Sequence, residues 1–408
     1  MDKFEIEFNG LLKHYFSDDE LNRLNQNINP PEEGNDRTTG MINDFYRNQL
    51  QIEINDCSER IKIDRTVTFS EKILQPEKFY RLLLDFSQLC LSRGRLSLAD
   101  ELCKKVKKNC DNSLLKAESL LGLADVFSRR ADWQRSLVTI EEAESIYLDL
   151  NDNKGLAKCE NILGSIYGER GDLTKAKDYF LNALSLINPK EDLEFAANLE
   201  SNLGIIENIR ENTDASIKHL TSALVSYNKL GNNRRIAEIK HNMGMVYLES
   251  ENYDSALAAF DEAIEIAKQG SFNSTLSLIY LGKSQVLVAT DDIYYASEFV
   301  DKALEISNST DDKLTVADSY RVKGIIERLG KNFKAAETYL LTSLRINTKL
   351  KNENNIALTS LELAVLYEEM NNSQSKQSYL TSALNYYKHI NAFNEVKKIE
   401  NMLDIGTA

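Results

Sequence analysis

Asn161-Ile-Leu-Gly-Ser-Ile-Tyr-Gly168 and His241-Asn-Met-Gly-Met-Val-Tyr-Leu248 put Gly164 and Gly244 at one point of a forty-residue repeat, with Gly204 midway. The same step links Ala124, Gly164, Gly204, Gly244, Ser284, Gly324 and Ala364, all of them small. A period of this length marks stacked helical pairs, each unable to bury its apolar face alone. It also weights function, because stacked pairs build long concave surfaces that mostly bind other chains.

The register extends outward from this ladder. A second small residue recurs at Ser136, Ala176, Ser216, Ala256, Ala296 and Ala336, until Lys376 breaks the series. A third recurs at Ala143, Ala183, Ala223, Ala263, Ala303, Ser343 and Ala383. Between them stands a bulky apolar residue: Ile140, Phe180, Leu220, Phe260, Val300, Leu340 or Leu380. A fourth ladder runs Ala117, Ala157, Ala197, Ala237, Ser277, Ala317 and Ala357. Small residues let helix backbones approach, and the bulky ones fill the gaps to native density. A shorter first unit fits with Ser87, Ala99, Cys103 and Val106, which gives about eight repeats over residues 77–390.

Segments such as Leu163-Gly164-x-x-Tyr167 and Ala256-x-x-x-Phe260-x-x-Ala263 resemble the tetratricopeptide repeat. The forty-residue version resembles kinesin light chains, the Leu-Gly-Asn-repeat polarity adaptors and bacterial peptide-pheromone sensors of the Rap type. The resemblance implies an all-α, right-handed solenoid of about eight stacked pairs over about three quarters of the chain. Glu207 and Glu327 depart from it where Tyr or Phe is usual, and Lys376 departs where Ala is usual. Architecture defines this family, so it leaves the partner open.

Composition narrows the classes. Lys+Arg number 49 against Asp+Glu 63, a net charge of -14, which disfavours general binding to nucleic acid or anionic membrane. The basic runs Lys104-Lys-Val-Lys-Lys108 and Arg234-Arg235 read as solvated helix faces and a turn. No window approaches the ~18 apolar residues of a membrane span. The start, Met1-Asp-Lys-Phe-Glu-Ile-Glu7, lacks the basic-then-apolar pattern of a secretory signal. Five cysteines, an odd number without Cys-x-x-Cys, fit free thiols in a reducing, cytoplasmic setting.

Residues 1–76 fall outside the repeat and form an expected helical extension. Ser17-Asp-Asp-Glu20 is a capping box that starts a second helix. The breaker-rich segment 29–40 reads as a mobile loop, 41–61 as helix and 62–70 as ambiguous. Pro76 suits the first turn of a helix. Residues 391–408 read as a capping helix and tail over the final apolar face.

No catalytic constellation is present, and no cofactor or metal site is expected. His14, His219, His241 and His389 lack metal-ligand spacing. Gly282-Lys-Ser284 resembles the end of a phosphate loop, but it lies inside a repeat helix without the Gly-rich turn such a loop needs. The chain therefore reads as a non-enzymatic adaptor or scaffold for protein–protein interaction. The alternative reading is a peptide-sensing regulator of the Rap kind, in which ligand changes the solenoid pitch and moves the N-terminal module.

The resemblance also implies that the first helix of each pair lines the groove. The expected contact residues are then Lys158 and Asn161 in the third repeat, Asn198, Asn202 and Ile205 in the fourth, His241, Asn242 and Met245 in the fifth, and Arg321 in the seventh. Asn carries a donor and an acceptor, so one side chain can pair with a peptide N–H and C=O together. Related solenoids hold extended peptides by such Asn side chains, and Asn202 and Asn242 match that position. Plain solvation of the groove is the competing reading of each Asn. The Lys/Asn/Arg set that clamps a C-terminal carboxylate in chaperone-binding relatives is not reproduced.

Overall fold

The computed structural model describes residues 3–28, 44–310, 312–390 and 392–403. The segment expected to be mobile, 29–40, and the tail from 404 lie outside the described residues. Twenty helices are described, and among the described residues there is no strand. Three helices come first: α1 (Lys3–Leu12), α2 (Asp18–Ile28) and α3 (Asp44–Ile73). The pairs follow as α4 (Pro76–Ser92) with α5 (Leu96–Asn109), α6 (Ser113–Arg129) with α7 (Trp133–Leu150), and α8 (Asn153–Glu169) with α9 (Leu173–Ser185). Next are α10 (Leu193–Ile209) with α11 (Thr213–Leu230), α12 (Asn233–Glu249) with α13 (Tyr253–Gln269), and α14 (Asn273–Ala289) with α15 (Ile293–Ser309). Then come α16 (Lys313–Leu329) with α17 (Phe333–Leu350), α18 (Glu353–Glu369) with α19 (Ser373–His389), and a last helix α20 (Phe393–Met402). Eight pairs match the all-α repeat reading. The chain falls into two compact units, Met1–Leu163 and Gly164–Ala408.

In the first unit the leading helices share one core with the first pairs. Phe4 stacks on Phe8 at 5.1 Å, and Phe8 stacks on Phe86 of α4 at 5.5 Å. Leu12, Phe16 and Leu24 join Leu82, Leu83 and Leu91 in the same cluster. Buried Glu59 of α3 bridges Arg93, whose guanidinium lies over Phe4, and Arg95. Buried apolar residues thus meet across position 76, and the boundaries 1–76, 77–390 and 391–408 are proposals. The Glu20 half of the capping box forms, with its carboxylate accepting from the Ser17 amide and hydroxyl at 2.8 Å. The ambiguous segment 62–70 is helical within α3. β-Branched and hydroxyl residues blur its helical signal, but Thr66 donates to the Lys62 carbonyl and Ser70 to that of Thr66, so neither buried hydroxyl goes unsatisfied.

The second unit shows why the register needs small residues. A Cβ on Gly164 would lie 2.7 Å from the Phe180 ring, and one on Gly204 would lie 2.7 Å from Leu220 Cγ. Gly244 meets Phe260 and Gly324 meets Leu340 equally closely. Ala124 and Ser284, which carry a Cβ, face the β-branched Ile140 and Val300, whereas Ala364 faces Leu380. At the second small position Ser216 donates to the Gly204 carbonyl at 2.7 Å, as Ser136 does to Ala124 at 2.8 Å, so these buried hydroxyls are satisfied within the pair. Lys376 breaks this ladder without burying its charge, because its amine reaches Glu368 at 2.8 Å.

The turns repeat as well. Ala131, Gly171, Glu211, Glu251, Asp291, Lys331 and Asn371 are all left-handed, with φ from 55 to 80°. The next amide then bonds back to the first helix, as Asn252 does to the Tyr247 carbonyl at 2.8 Å and Asn212 to that of Glu207 at 2.9 Å. These turn bonds are main-chain, so Glu can replace Tyr at 207. Gly171 alone among the seven lacks a Cβ, and one built there would stand 2.6 Å from the Ile390 carbonyl oxygen.

Candidate functional site

In the second unit the first helices contact one another in sequence, α10 with α12, α12 with α14, α14 with α16 and α16 with α18. Rows that approach this closely form the inner side of a curved stack. The expected contact residues distribute unevenly on it. Lys158 and Asn161 belong to the first unit and the others to the second. Asn198, Asn202 and Ile205 share one face of α10 by helical spacing. His241, Asn242 and Met245 do the same on the adjoining α12. Arg321 stands apart on α16.

Their chemistry differs. Asn198 accepts a 2.6 Å hydrogen bond from the buried Tyr227 hydroxyl, so half of its carboxamide serves the fold. The His241 ring pairs through Nδ1 with Asn242 Oδ1 at 3.3 Å and also reaches the Leu278 backbone on α14. Its plane lies tilted over Phe260, 5.8 Å away. Burial lowers its pKa against the opposing effect of these bonds, so the ring is neutral at pH 7. A neutral imidazole has one N–H and serves one of its two acceptors at a time. Met245 is partly buried against the core around Phe260 and reads as packing more than contact surface. Ile205 is 41% exposed, and Ile209, one turn on, is exposed too. On α14, Leu278 adds another exposed apolar group.

Arg321 sits in a charged cluster built from α16 and α18. It lies 3.5 Å from Asp318, which accepts from the Asn355 amide at 3.0 Å. Two turns on, Arg328 pairs with Glu369 at 2.6 Å and approaches Glu362 at 3.8 Å. Burial raises the Asp318 and Glu362 carboxyls, opposed by the arginines. Of this cluster the expected contact residues include Arg321 alone. Asp318 lies one turn before Arg321 on α16, and of the two α18 carboxylates only Glu362 falls where the same register, carried one unit further, would reach.

Glu207 faces the neighbouring second helix and not the groove. It is 1% exposed and pairs with Lys177 at 2.7 Å, with Arg210 at 3.6 Å and with the Asn212 amide at 3.1 Å. Burial alone would raise this carboxyl, but the cations and amide outweigh it and hold it below its usual value. Among the described residues no group of three His, Cys, Asp or Glu side chains is placed to hold a metal ion. No helix of the described residues is long and apolar enough to cross a membrane. Burial raises the Cys90 thiol to about 12 and the Cys103 thiol to about 11, which removes their nucleophilic form at neutral pH.

Comparison with known proteins agrees with this geometry. Profiles described as tetratricopeptide repeat match residues 195–269 and 161–189. A profile described as an uncharacterized protein conserved in bacteria matches residues 306–404. No curated protein matches the chain. Among solved structures, aspartyl phosphate phosphatase F from Bacillus subtilis aligns over 91% of this chain and 98% of its own, with TM-score 0.59 and 15% identity. NprR in complex with its cognate peptide NprX covers 80% of this chain and 97% of its own, with TM-score 0.57 and 12% identity. The Rap conjugation gene regulator of plasmid pLS20, in complex with the Phr* peptide, covers 78% and 97%, with TM-score 0.54 and 15% identity. At these identities the likeness is one of fold. The chain is a tetratricopeptide-repeat solenoid, of the architecture that these peptide-bound neighbours share.

Proposed function

We propose that the inner face of α10 and α12 holds an extended segment of a peptide or protein partner. The observation that carries this reading is Ile205, an exposed apolar side chain one helical turn from Asn202 on α10, with Asn242 on the adjoining α12. A solvated scaffold gains nothing from an exposed Ile there, whereas a groove that holds a backbone by Asn and a side chain by Ile gains both affinity and selectivity. The peptide complexes of NprR and of the pLS20 regulator support it by analogy of fold. The protein acts as a cytoplasmic, non-enzymatic adaptor, with no cofactor and no nucleic-acid partner, although one fold neighbour bears a phosphatase name. Residues 77–390 form the binding solenoid, 1–76 a helical extension and 391–408 its C-terminal cap and tail.

The test is selection of ligands from a random peptide library, followed by calorimetry on wild type and on the double variant Asn202→Ala, Asn242→Ala. The variant binds about tenfold more weakly or worse, since each lost Asn strands a peptide donor and acceptor at about 1–3 kcal/mol. Selected peptides that bind the variant as tightly as wild type sink the groove reading. A second reading, a peptide-sensing regulator, is favoured by the contact of Gly171 with Ile390. A ligand that changes the pitch of α10 to α16 must strain that contact, and small-angle scattering would then show a changed radius of gyration on peptide addition.

A further inference from the structure

The end of the sixth pair departs from the register on the outside of the stack. Tyr294 and Tyr295 open α15, and they are 77% and 51% exposed. Their rings meet edge to face at 5.2 Å, and no other ring or hydrogen-bond contact holds them among the described residues. All the other full-length units place polar or small residues at these two positions, for example Gln134-Arg135, Asp254-Ser255 and Gln374-Ser375, and the shorter first unit has Ser97 and the buried Leu98. Nothing in the packing of a pair therefore asks for tyrosine here. Exposed tyrosine pairs are costly to leave in water and are enriched at the energetic centres of protein interfaces.

The electrostatic setting selects the occupant. Asp292 is the N-cap of α15, yet its side chain makes no capping hydrogen bond, unlike Asp132, Asp172, Asn212 and Asn252 at the same position. Asp291 precedes it in the left-handed turn. On the same edge of the two preceding pairs stand Glu251 and Asp254, then Glu211 and Asp214. Among the described residues none of these six carboxylates has an ion-pair partner within 4 Å, whereas Arg321 and Arg328 on the inner face are both paired. One pair further on, the edge turns basic with Lys331 and Lys334.

We infer that Tyr294 and Tyr295, with the acidic edge running from Asp291 and Asp292 back to Asp214, form a second docking surface for an arginine-rich segment of a partner protein. A guanidinium stacks on a tyrosine face while its neighbours pair with the aspartates. Nucleic acid and anionic lipid are repelled by the same edge. The surface is separate from the groove, so an adaptor can hold two partners at once.

Fluorescein-labelled hexa-arginine and hexa-lysine peptides, followed by fluorescence anisotropy, test this on the full chain. Hexa-arginine binds more tightly than hexa-lysine, and binding of both weakens with salt. Tyr294→Gln with Tyr295→Ser, residues that sister units carry at these positions, weakens hexa-arginine at least about fivefold and removes its advantage over hexa-lysine. Asp291→Asn with Asp292→Asn weakens both peptides. Circular dichroism confirms that each variant keeps its helix content. The inference is overturned if the tyrosine variant binds hexa-arginine as wild type does. It is equally overturned if Asn202→Ala with Asn242→Ala weakens that peptide as much, because the peptide then sits in the groove.

Discussion

A Cβ added to Gly244 would stand 2.7 Å from Cε1 of Phe260, closer than real side chains approach, and Gly282 on the next pair holds the same ring equally tightly. Phe260 is thus wedged between two backbones. Gly244→Leu must move the ring or the helix, and overpacking of this kind costs roughly 2–4 kcal/mol. The unit at Ser284 solves the same contact with Val300. Copying that solution, Gly244→Ser combined with Phe260→Val is expected to cost less than the sum of the two single changes. Denaturant midpoints around the double-mutant cycle measure the coupling, and strict additivity would show that the two residues do not share one packing constraint.

Two turn residues predict opposite signs for one kind of change. Ala131 is left-handed at φ 55°, where an L side chain costs about 1–2 kcal/mol and glycine costs little. After glycine's extra unfolded-state entropy, Ala131→Gly stabilises by about 0.5–1 kcal/mol. Gly171→Ala adds the strain that Gly171 avoids and drives a methyl at the Ile390 carbonyl, so it destabilises by about 1–3 kcal/mol. Thermal unfolding of the two variants tests the pair of signs.

What was legible beforehand follows from the range of each interaction. The ladder from Ala124 to Ala364 and the capping box at Ser17 depend on contacts within a pair or a turn, and those recur or lie close in sequence. Asn198 looked like a free groove residue because its captor, Tyr227, lies on the partner helix at a position the groove register does not consult. The meeting of Gly171 with Ile390 depends on how curvature accumulates over several pairs, which no local pattern encodes. Tyr294 and Tyr295 were visible as departures from the register, but only their exposure separates a surface from a core variation.

His241 makes stability depend on pH. Its folded pKa lies below the ordinary 6.5, so the unfolded chain binds the proton more readily. The stabilising contribution is complete above about pH 6.5 and is lost as pH falls through the lower folded value. Urea midpoints of the wild type should therefore drop between neutral pH and pH 5, and His241→Gln should flatten that drop. A variant with the same pH profile as wild type would remove His241 as the cause.

Glu207 acts in a lower pH window. Lys177, Arg210 and Asn212 hold its carboxyl below the usual 4.5, so its contribution is present above that value and fades as pH falls through the folded pKa. Lys177 is partly solvated, which weakens the pair relative to a fully buried one. Glu207→Gln is expected to cost about 1–2 kcal/mol at pH 7 and almost nothing in strong acid. Equal costs at both pH values would mean that shape, and not charge, is what Glu207 supplies.

Ile205 separates a structural from a binding role. Being 41% exposed, it has surface left to bury, and covering that remainder by a ligand is worth about 1 kcal/mol. Ile205→Ser should therefore weaken a selected groove peptide about fivefold while changing unfolding stability by less than about 1 kcal/mol. Ile205→Asp should weaken it by tenfold or more, since a ligand must then desolvate a carboxylate beside Asn202. Lys218→Ala, on the exposed face of α11, is the control and should leave the affinity unchanged. If Ile205→Asp kept wild-type affinity while Lys218→Ala lost it, the peptide would belong on the outer face, and the exposed isoleucine would need another explanation.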